Sequence, residues 1–450
     1  MIPPKLQILI DTIHTLLKRG VERNVKNLLS QTHPADIAFL LQHLEEGEQE
    51  KVFQLIEDPT HQAEVCSEIE IKDLAPLLDT LDTVRLREIF HHMPSDDAAD
   101  ILAVLPEEIS GRILTAMKEA ASKEVEALLQ YGEETAGGIM TPKVFIAEET
   151  KTVREVIEAL HRAEAIEMVY YVYVVDRENH LIGVASLRNL LTTKPYHTVG
   201  EIMTTDVISV SADTDQEEAA RLVARYNLLA IPVVDKERHI VGQITVDDII
   251  DVLHEEATED ILRMGGAGEA DVLEKSSFSN VRARFPWLLA SMIGGLIAAQ
   301  VINSFSATLS KVALLAAFIP IVIGMSGNVG TQSAAIMIRG LATGKVRTAE
   351  IGHILFKEGC VGALLGILYG VILLAVIRVQ FSAATIAMIV GFSIAVNMLF
   401  SAFVGTFVPL VFARLGFDPA LSTGPFVTTS LDICGTVIYF SLASLFLHLT

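Results

Sequence analysis

The sequence predicts a multidomain membrane protein. Its parts are an all-α superhelical N-domain, an α/β pair of repeated units, an acidic linking helix and a five-helix transmembrane domain. Three observations predict this. Charge is split unevenly along the 450 residues, a repeat of about 60 residues fills the middle, and five long apolar runs fill the last third.

From Arg282 onward stand nine basic and four acidic residues, a formal charge of +5. The preceding part holds 25 basic and 52 acidic residues, a charge of −27. An acidic soluble portion joined to an apolar one speaks against nucleic acid as a partner and favours cations as ligands, although acidic surfaces also serve solubility. Cys66, Cys360 and Cys434 are scattered and form no C-x-x-C, so neither a disulfide framework nor a thiolate metal site is expected. The opening stretch, MIPPKLQILIDTIHTLLKRG, lacks a basic n-region and a small-residue cleavage site. It is expected to be the first amphipathic helix of a cytosolic domain.

Residues 1–135 read as short amphipathic helices. DIAFLL from Asp36, DLAPLL from Asp73 and DAADIL from Asp97 look alike, and each is followed by a further helix-like segment. Repeated helix pairs that bury their apolar faces on their neighbours predict a small superhelical array. Pro94-Ser95-Asp96 reads as a helix start with the serine or the aspartate as cap.

The second repeat covers 136–253, with copies at 136–199 and 200–253. MTPKVFIAEETKTVREVIEAL matches MTTDVISVSADTDQEEAARLV, and YVYVVDRENHLIGVASLRNLL matches AIPVVDKERHIVGQITVDDII. Each copy predicts a strand, a helix, two β-branched strands around a turn ending in Gly183 or Gly242, and a second helix. IPVVD and GQITVDDI in particular resemble a CBS-domain pair, a regulatory module that often binds adenine nucleotides. By that resemblance Thr245 and Asp248 of the second copy, and Ser186 and Asn189 of the first, are the candidate nucleotide contacts. A carboxylate grip on ribose is available only from the second copy, so at most one ATP-like site per chain is expected.

Residues 254–280 form the linking segment. If the helix entering it continues, Asp248, Asp251, Glu255 and Glu259 share one face. Seven carboxylates lie between Asp247 and Asp260 with no Lys or Arg among them. Like charges at these spacings destabilise a lone helix by a few tenths of a kcal/mol per pair, so a positive partner is expected there; the alternative is a solvated face. Gly265-Gly266 should end the helix.

The membrane domain, 281–450, contains apolar runs at about 285–304, 312–338, 358–377, 383–412 and 424–447, each of the roughly 17–25 residues that cross a bilayer. With the N-terminus inside, Arg282, Arg284, Arg339, Lys345, Arg347, Lys357 and Arg414 lie on the cytoplasmic side, and only Lys311 and Arg378 lie outside. Gly362, Gly366 and Gly370 have the small-xxx-small spacing of a close helix contact. GMSGNVGTQS, with Asn328, is expected to break the second span. STGPFVTTS, with Gly424, Pro425 and Thr428, opens the fifth, and Asp432 follows. A carboxylate at membrane depth costs roughly 2.5–3.5 kcal/mol even on mild scales, and the spans offer no Lys or Arg to pair with it. Carbonyls, amides and one carboxylate are hard oxygen ligands suited to a Mg2+ ion that keeps its water. One carboxylate per chain is a weak cation site, so a homodimer with the pore on its two-fold axis is expected.

The whole arrangement, with GNVGTQ and PFVTTSLD, resembles the bacterial MgtE family of magnesium transporters. The resemblance implies a homodimeric Mg2+-selective channel in the cytoplasmic membrane, closed by cytosolic Mg2+. It implies Asp432 as pore carboxylate, and Asp96, Asp100, Asp248, Asp251, Glu255, Glu256, Glu259 and Asp260 as ligands of regulatory ions. Asn227 stands where some relatives carry an acid, which weakens or removes one regulatory site. Gly424 replaces a polar residue at the pore mouth, where backbone carbonyls must serve. A divalent transporter of wider specificity (Co2+, Mn2+, Zn2+) and a CBS-regulated membrane sensor are the competing readings. An enzyme is disfavoured, because no nucleophile elbow, P-loop or His-x-x-Glu-His is present.

Overall fold

The computed structural model describes residues 4–69, 71–117, 119–163, 169–266, 277–346 and 350–449. It divides into two compact units, Met1–Leu253 and His254–Thr450.

The first unit begins with ten helices among the described residues. They are α1 (Pro4–Lys18), α2 (Glu22–Leu29), α3 (Pro34–Leu41), α4 (Glu46–Gln54) and α5 (Pro59–Ser67), then α6 (Ile71–Asp79), α7 (Thr83–His92), α8 (Ser95–Val104), α9 (Glu107–Ala116) and α10 (Glu119–Leu128). Helices two apart in sequence pack together: α3 on α5, α5 on α7, α7 on α9, α8 on α10. This is the superhelical array that the repeated Asp-led segments predict. Prolines at the first turns of α3 and α5 start those helices without losing a hydrogen bond, since an N1 amide has no intrahelical partner. The expected cap of α8 is absent. Pro94 occupies that position with no side-chain cap, and the Ser95 hydroxyl instead donates to Glu124 at 3.1 Å.

The repeat gives two matching three-stranded sheets. The first copy has β1 (Ile146–Glu148), α11 (Val153–Leu160), β2 (Tyr171–Val175), β3 (Leu181–Ser186), α12 (Leu187–Thr192) and α13 (Val199–Ile202). The second has β4 (Val210–Ser211), α14 (Gln216–Tyr226), β5 (Ala230–Val234), β6 (Ile240–Thr245) and α15 (Val246–Met264). In each, the first strand runs parallel and the third antiparallel to the middle one, with a register shift at the end of the middle strand. Gly183 and Gly242 do not end the turns as expected. They lie inside β3 and β6, where a Cβ would collide with Met203 or Met140. Asn227 closes α14 in the left-handed conformation (φ 52°), which asparagine adopts more readily than most residues. One apolar core, with Phe53, Phe90, Ile101, Val233 and Ile244, continues from the array into the second copy.

Among the described residues the second unit holds five helices long and apolar enough to cross a membrane. These are α16 (Ser277–Ser304), α18 (Leu314–Ala342), α19 (Ile351–Phe381), α20 (Ala384–Arg414) and the run Pro419–His448, which contains α21 (Thr428–Leu449); α17 (Ser306–Lys311) joins the first two. Within the linking segment, residues 267–276 lie outside the described residues, as does Arg347. Gly266 takes φ +68° just beyond α15, as its place after a helix end requires.

The second span is not broken. α18 runs unbroken through 324–333, where two hydroxyls bond back into their own helix: Ser326 donates to the Val322 carbonyl (2.7 Å) and Thr331 to that of Asn328 (3.0 Å). In a medium without water, intrahelical pairing outweighs the propensity loss of three glycines. The Gly362-Gly366-Gly370 stripe lies where α19 meets α20, so close that a Cβ at Gly366 would stand 2.6 Å from the Ala395 carbonyl.

Candidate functional site: an intramembrane carboxylate and an acidic cytosolic cavity

The irregular entry to the fifth span is where polar chemistry reaches membrane depth. After a tight turn at Pro419–Ser422, residues Thr423–Val427 form one wide π-helical turn, inside which Gly424 leaves helical geometry (φ −59°, ψ −107°). Gly424, Thr428 and Asp432 follow at four-residue intervals. Asp432 is half-buried, while Thr428 and Asn328 are exposed on the single chain. The packing around it is tight. A Cβ on Gly330 of α18 would strike Leu431, one on Gly294 of α16 would strike Thr429, and one on Gly435 would stand 3.0 Å from the Asn397 amide oxygen of α20. Three helices thus grip α21 immediately around Asp432. Among the described residues no basic side chain pairs with its carboxylate.

One site carboxylate, Asp432, is expected from the sequence, although the third apolar run itself begins at Glu358. The structure shows a second. Glu358 of α19 is buried and accepts a hydrogen bond from Ser333 of α18 at 3.0 Å. It crosses between helices near the level where Gly330 and Gly405 bring the α18 and α20 backbones into contact. Only its pairing with a buried serine sets it apart. Ser393 and Asn397 of α20 are also fully buried, each with an oxygen that has no partner.

The expected positive partner of the acidic helix is its own Arg263. This side chain pairs with Glu259 and reaches Asp418, 2.7 Å away, just before the fifth span; Asp418 in turn accepts the Ala420 amide at 2.7 Å. At the same end of α15, a Cβ on Gly424 would lie 3.8 Å from the Gly266 Cα. Asp260, Glu256 and Glu255 lie on this helix as well.

In the first unit a cavity of about 130 Å3 is lined by Pro94, Ser95, Asp96, Asp97, Thr141, Lys143, Gln243, Thr245, Asp247 and Asp248. Four aspartates face one lysine there. Asp96 is 9 % exposed, and its Oδ1 has no hydrogen-bond partner. Burial first, then the Asp97 and Asp248 charges, push its carboxyl up to about 8. Burial, against the hydrogen bond from Thr245, pushes Asp248 up to about 6. Asp97 is also raised, by burial and by the Asp247 and Asp251 charges, against a hydrogen bond from Ser67. With its carboxyl raised to about 8, Asp96 holds a proton near neutral pH, which a cation entering the cavity would displace. The volume accommodates an ion with waters and falls short of the roughly 300 Å3 or more of an organic-ligand pocket.

This cavity departs from the sequence expectation in its membership. Asp96 and Asp248 meet, but Asp97 and Asp247 join them and were missed. Asp100 is exposed and does not line the cavity, since it lies one turn further along α8 than Asp96. The candidate nucleotide residues bond to one another at helix starts: Asp248 Oδ2 accepts the Thr245 amide at 3.1 Å and its hydroxyl at 2.6 Å, and the Ser186 hydroxyl caps α12 by accepting the Asn189 amide at 3.2 Å.

Comparison with known proteins agrees with each part. Residues 319–442 match the family model described as MgtE, divalent cation transporter. Residues 32–134 match the MgtE intracellular N domain, and 136–195 with 199–255 match CBS domains. The magnesium transporter MgtE of Thermus thermophilus is 37% identical over 444 residues, covering 97% of this chain and 98% of that protein. The chain belongs to the MgtE family. The Bacillus subtilis magnesium transporter MgtE is 33% identical over 443 residues, covering 98% of each. Among solved structures, the cytosolic domain of the Mg2+ channel MgtE in complex with ATP matches with a TM-score of 0.52 and 39% identity, covering 54% of this chain and 99% of that one. Several inosine-5'-monophosphate dehydrogenases match over about a sixth to a quarter of the chain. That likeness is confined to a short part of the chain and carries no enzyme activity. The chain is a multi-pass membrane protein of a transporter family.

Proposed function

We propose that this chain is a Mg2+-selective channel that imports Mg2+ across the cytoplasmic membrane and closes when cytosolic Mg2+ binds its acidic carboxylates. The observation that carries this reading is Asp432, a half-buried carboxylate one turn beyond a broken helix entry, with no basic partner among the described residues. Its relatives named magnesium transporters support the choice of ion. A Mg2+ ion that retains its waters needs few direct ligands, and the Gly424 carbonyl, the Thr428 hydroxyl, the Asn328 amide and Asp432 supply hard oxygens. Two copies about an axis would double the single carboxylate and cover the exposed Thr428 and Asn328, so the working form is a homodimer with the N-terminal unit in the cytosol.

Regulation rests on two sets of carboxylates. One is the cavity of Asp96, Asp97, Asp247 and Asp248; the other is the α15 set of Asp251, Glu255, Glu256, Glu259 and Asp260, with Asp100 as a further candidate. Without a cation they repel, and Mg2+ offsets that repulsion and favours the closed form. Asp248 is both a cavity carboxylate and the candidate ribose contact, so ATP and Mg2+ would be coupled through it. Mg2+ flux into proteoliposomes tests the reading, with wild type and Asp432→Ala compared in the presence and absence of Co2+, Mn2+ and Zn2+. Loss of Mg2+ flux or selectivity with assembly intact is expected. Wild-type flux and wild-type competition in Asp432→Ala would overturn the pore role.

A further inference from the structure

The two hairpin turns of the CBS pair repeat one pattern, Asp-x-Glu-x-His, as Asp176, Glu178, His180 and as Asp235, Glu237, His239. In each turn the ligand atoms of all three side chains lie within 4.8 Å of one another. The aspartate is held in place: Asp176 Oδ1 accepts the Glu178 and His180 amides, both at 2.9 Å, and Asp235 Oδ1 accepts those of Glu237 and His239 at 2.9 and 2.8 Å. This leaves each Oδ2 facing the histidine Nδ1, at 3.0 Å in both copies. The exposed glutamate completes the set, with Oε2 3.9 Å from His180 Nδ1 in one turn and 3.7 Å from His239 Nδ1 in the other.

The turns also meet each other. The His180 and His239 rings stack with centroids 4.9 Å apart and planes 11° from parallel, and the Leu181 amide donates to the Arg238 carbonyl at 3.0 Å. Buried Tyr173, Val175, Leu181, Val234 and Ile240 anchor both turns from behind.

We infer that each turn is a binding site for a borderline divalent metal ion of the Zn2+ class, two sites per chain, at the junction of the two CBS copies. Donor chemistry and spacing argue for this. A tetrahedral ion with bonds of about 2.1 Å separates its ligands by about 3.4 Å, and the observed 3.0 and 3.7–3.9 Å bracket that value. One imidazole with two carboxylates leaves a fourth position for water. Imidazole favours Zn2+, Co2+ and Ni2+, whereas Mg2+ prefers an all-oxygen set such as the Asp96 cavity. The sites are therefore chemically distinct from the proposed Mg2+ sites and do not depend on them. Occupancy neutralises two carboxylates on each turn where the turns of the two copies meet, which gives the regulatory pair a second metal input.

The test is Zn2+ binding to the full-length, metal-stripped protein in detergent with Mg2+ in excess, read by calorimetry and by metal content after gel filtration. Two Zn2+ per chain are expected, falling to one in His180→Ala or in His239→Ala and to none in the double variant. Co2+ used as a substitute should show ligand-field absorption that the double variant lacks. If the double variant fails to fold, Glu178→Gln with Glu237→Gln replaces it, since both side chains are exposed and pin no backbone. That pair should weaken Zn2+ at least about tenfold, the lower end of what even outer-shell partners contribute. No Zn2+ retained by wild type under excess Mg2+, or wild-type affinity in the glutamine pair, would overturn the inference.

Discussion

Replacing Asp96 by asparagine should stabilise the Mg2+-free protein and at the same time blunt its response to Mg2+. The carboxyl is raised to about 8 by burial and by its acidic neighbours, about 4 units above an unperturbed aspartate. Because the folded state holds the proton more tightly than the unfolded chain, this group's contribution is fully present below the unfolded value near 4 and is lost as pH rises toward 8. At about 1.4 kcal/mol per unit, the full loss is on the order of 5 kcal/mol. Asparagine, neutral throughout, should remove most of it. Thermal unfolding of wild type and Asp96→Asn in chelator, near pH 6 and near pH 8, measures this. Wild type should lose stability between the two, and the variant much less. The same proton must leave when an ion enters the cavity. Mg2+ affinity in wild type should therefore rise about fivefold from pH 7 to pH 8, with close to one proton released per ion near pH 7 and about half a proton near pH 8, as calorimetry in buffers of different ionisation enthalpy reports. A pH-independent affinity, or a variant that binds Mg2+ with the wild-type proton release, would refute the reasoning.

Other outcomes follow from the remaining contacts. Glu358→Ala should destabilise the membrane domain by about 1–3 kcal/mol, the cost of leaving the Ser333 hydroxyl buried and unpaired. Glu358→Gln keeps an acceptor and should stay near wild type, as thermal aggregation in detergent would show. Arg263→Gln removes the ties to Glu259 and Asp418 and should raise the Mg2+ needed for closure about fivefold, the equivalent of about 1 kcal/mol for a partly exposed pair; an unchanged closing range would count against that role. Conversion of Asp248, Asp251, Glu255 and Glu259 to their amides removes repulsion and ligands together. We expect channels that stay open in Mg2+, because closure depends on specific bridges, and channels that still shut over the wild-type range would refute this.

What was legible in the sequence follows from how local each signal is. Hydropathy marks the five spans because lipid demands long apolar runs, and the 60-residue repeat announces two matching sheets because each strand pattern recurs in register. Asp432 stood out against its apolar surroundings for the same reason. Glu358, at the first position of the third apolar run, did not, since only the fold brings Ser333 to it. Asp97 and Asp247 were passed over because the α8 and α15 first turns, distant in sequence, converge only through the core shared by the helical array and the second copy. The continuity of α18 was misjudged for an energetic reason: glycine and hydroxyl residues that would open a helix in water are held in it where no water competes. The stacking of His180 on His239 needed the two copies placed side by side.

In the proposed function, Mg2+ itself closes its pathway from the cytosolic side. Single-channel recording from excised patches, with Mg2+ varied at the cytosolic face, tests it most directly. A swing from about 1:99 to 99:1 requires about 5.5 kcal/mol of differential binding, more than one partly hydrated ion supplies, so several sites must act together. Open probability should fall steeply with cytosolic Mg2+, and added monovalent salt should not reproduce the fall, because screening weakens repulsion without building bridges. Openings indifferent to cytosolic Mg2+, or closed equally well by monovalent salt, would contradict it.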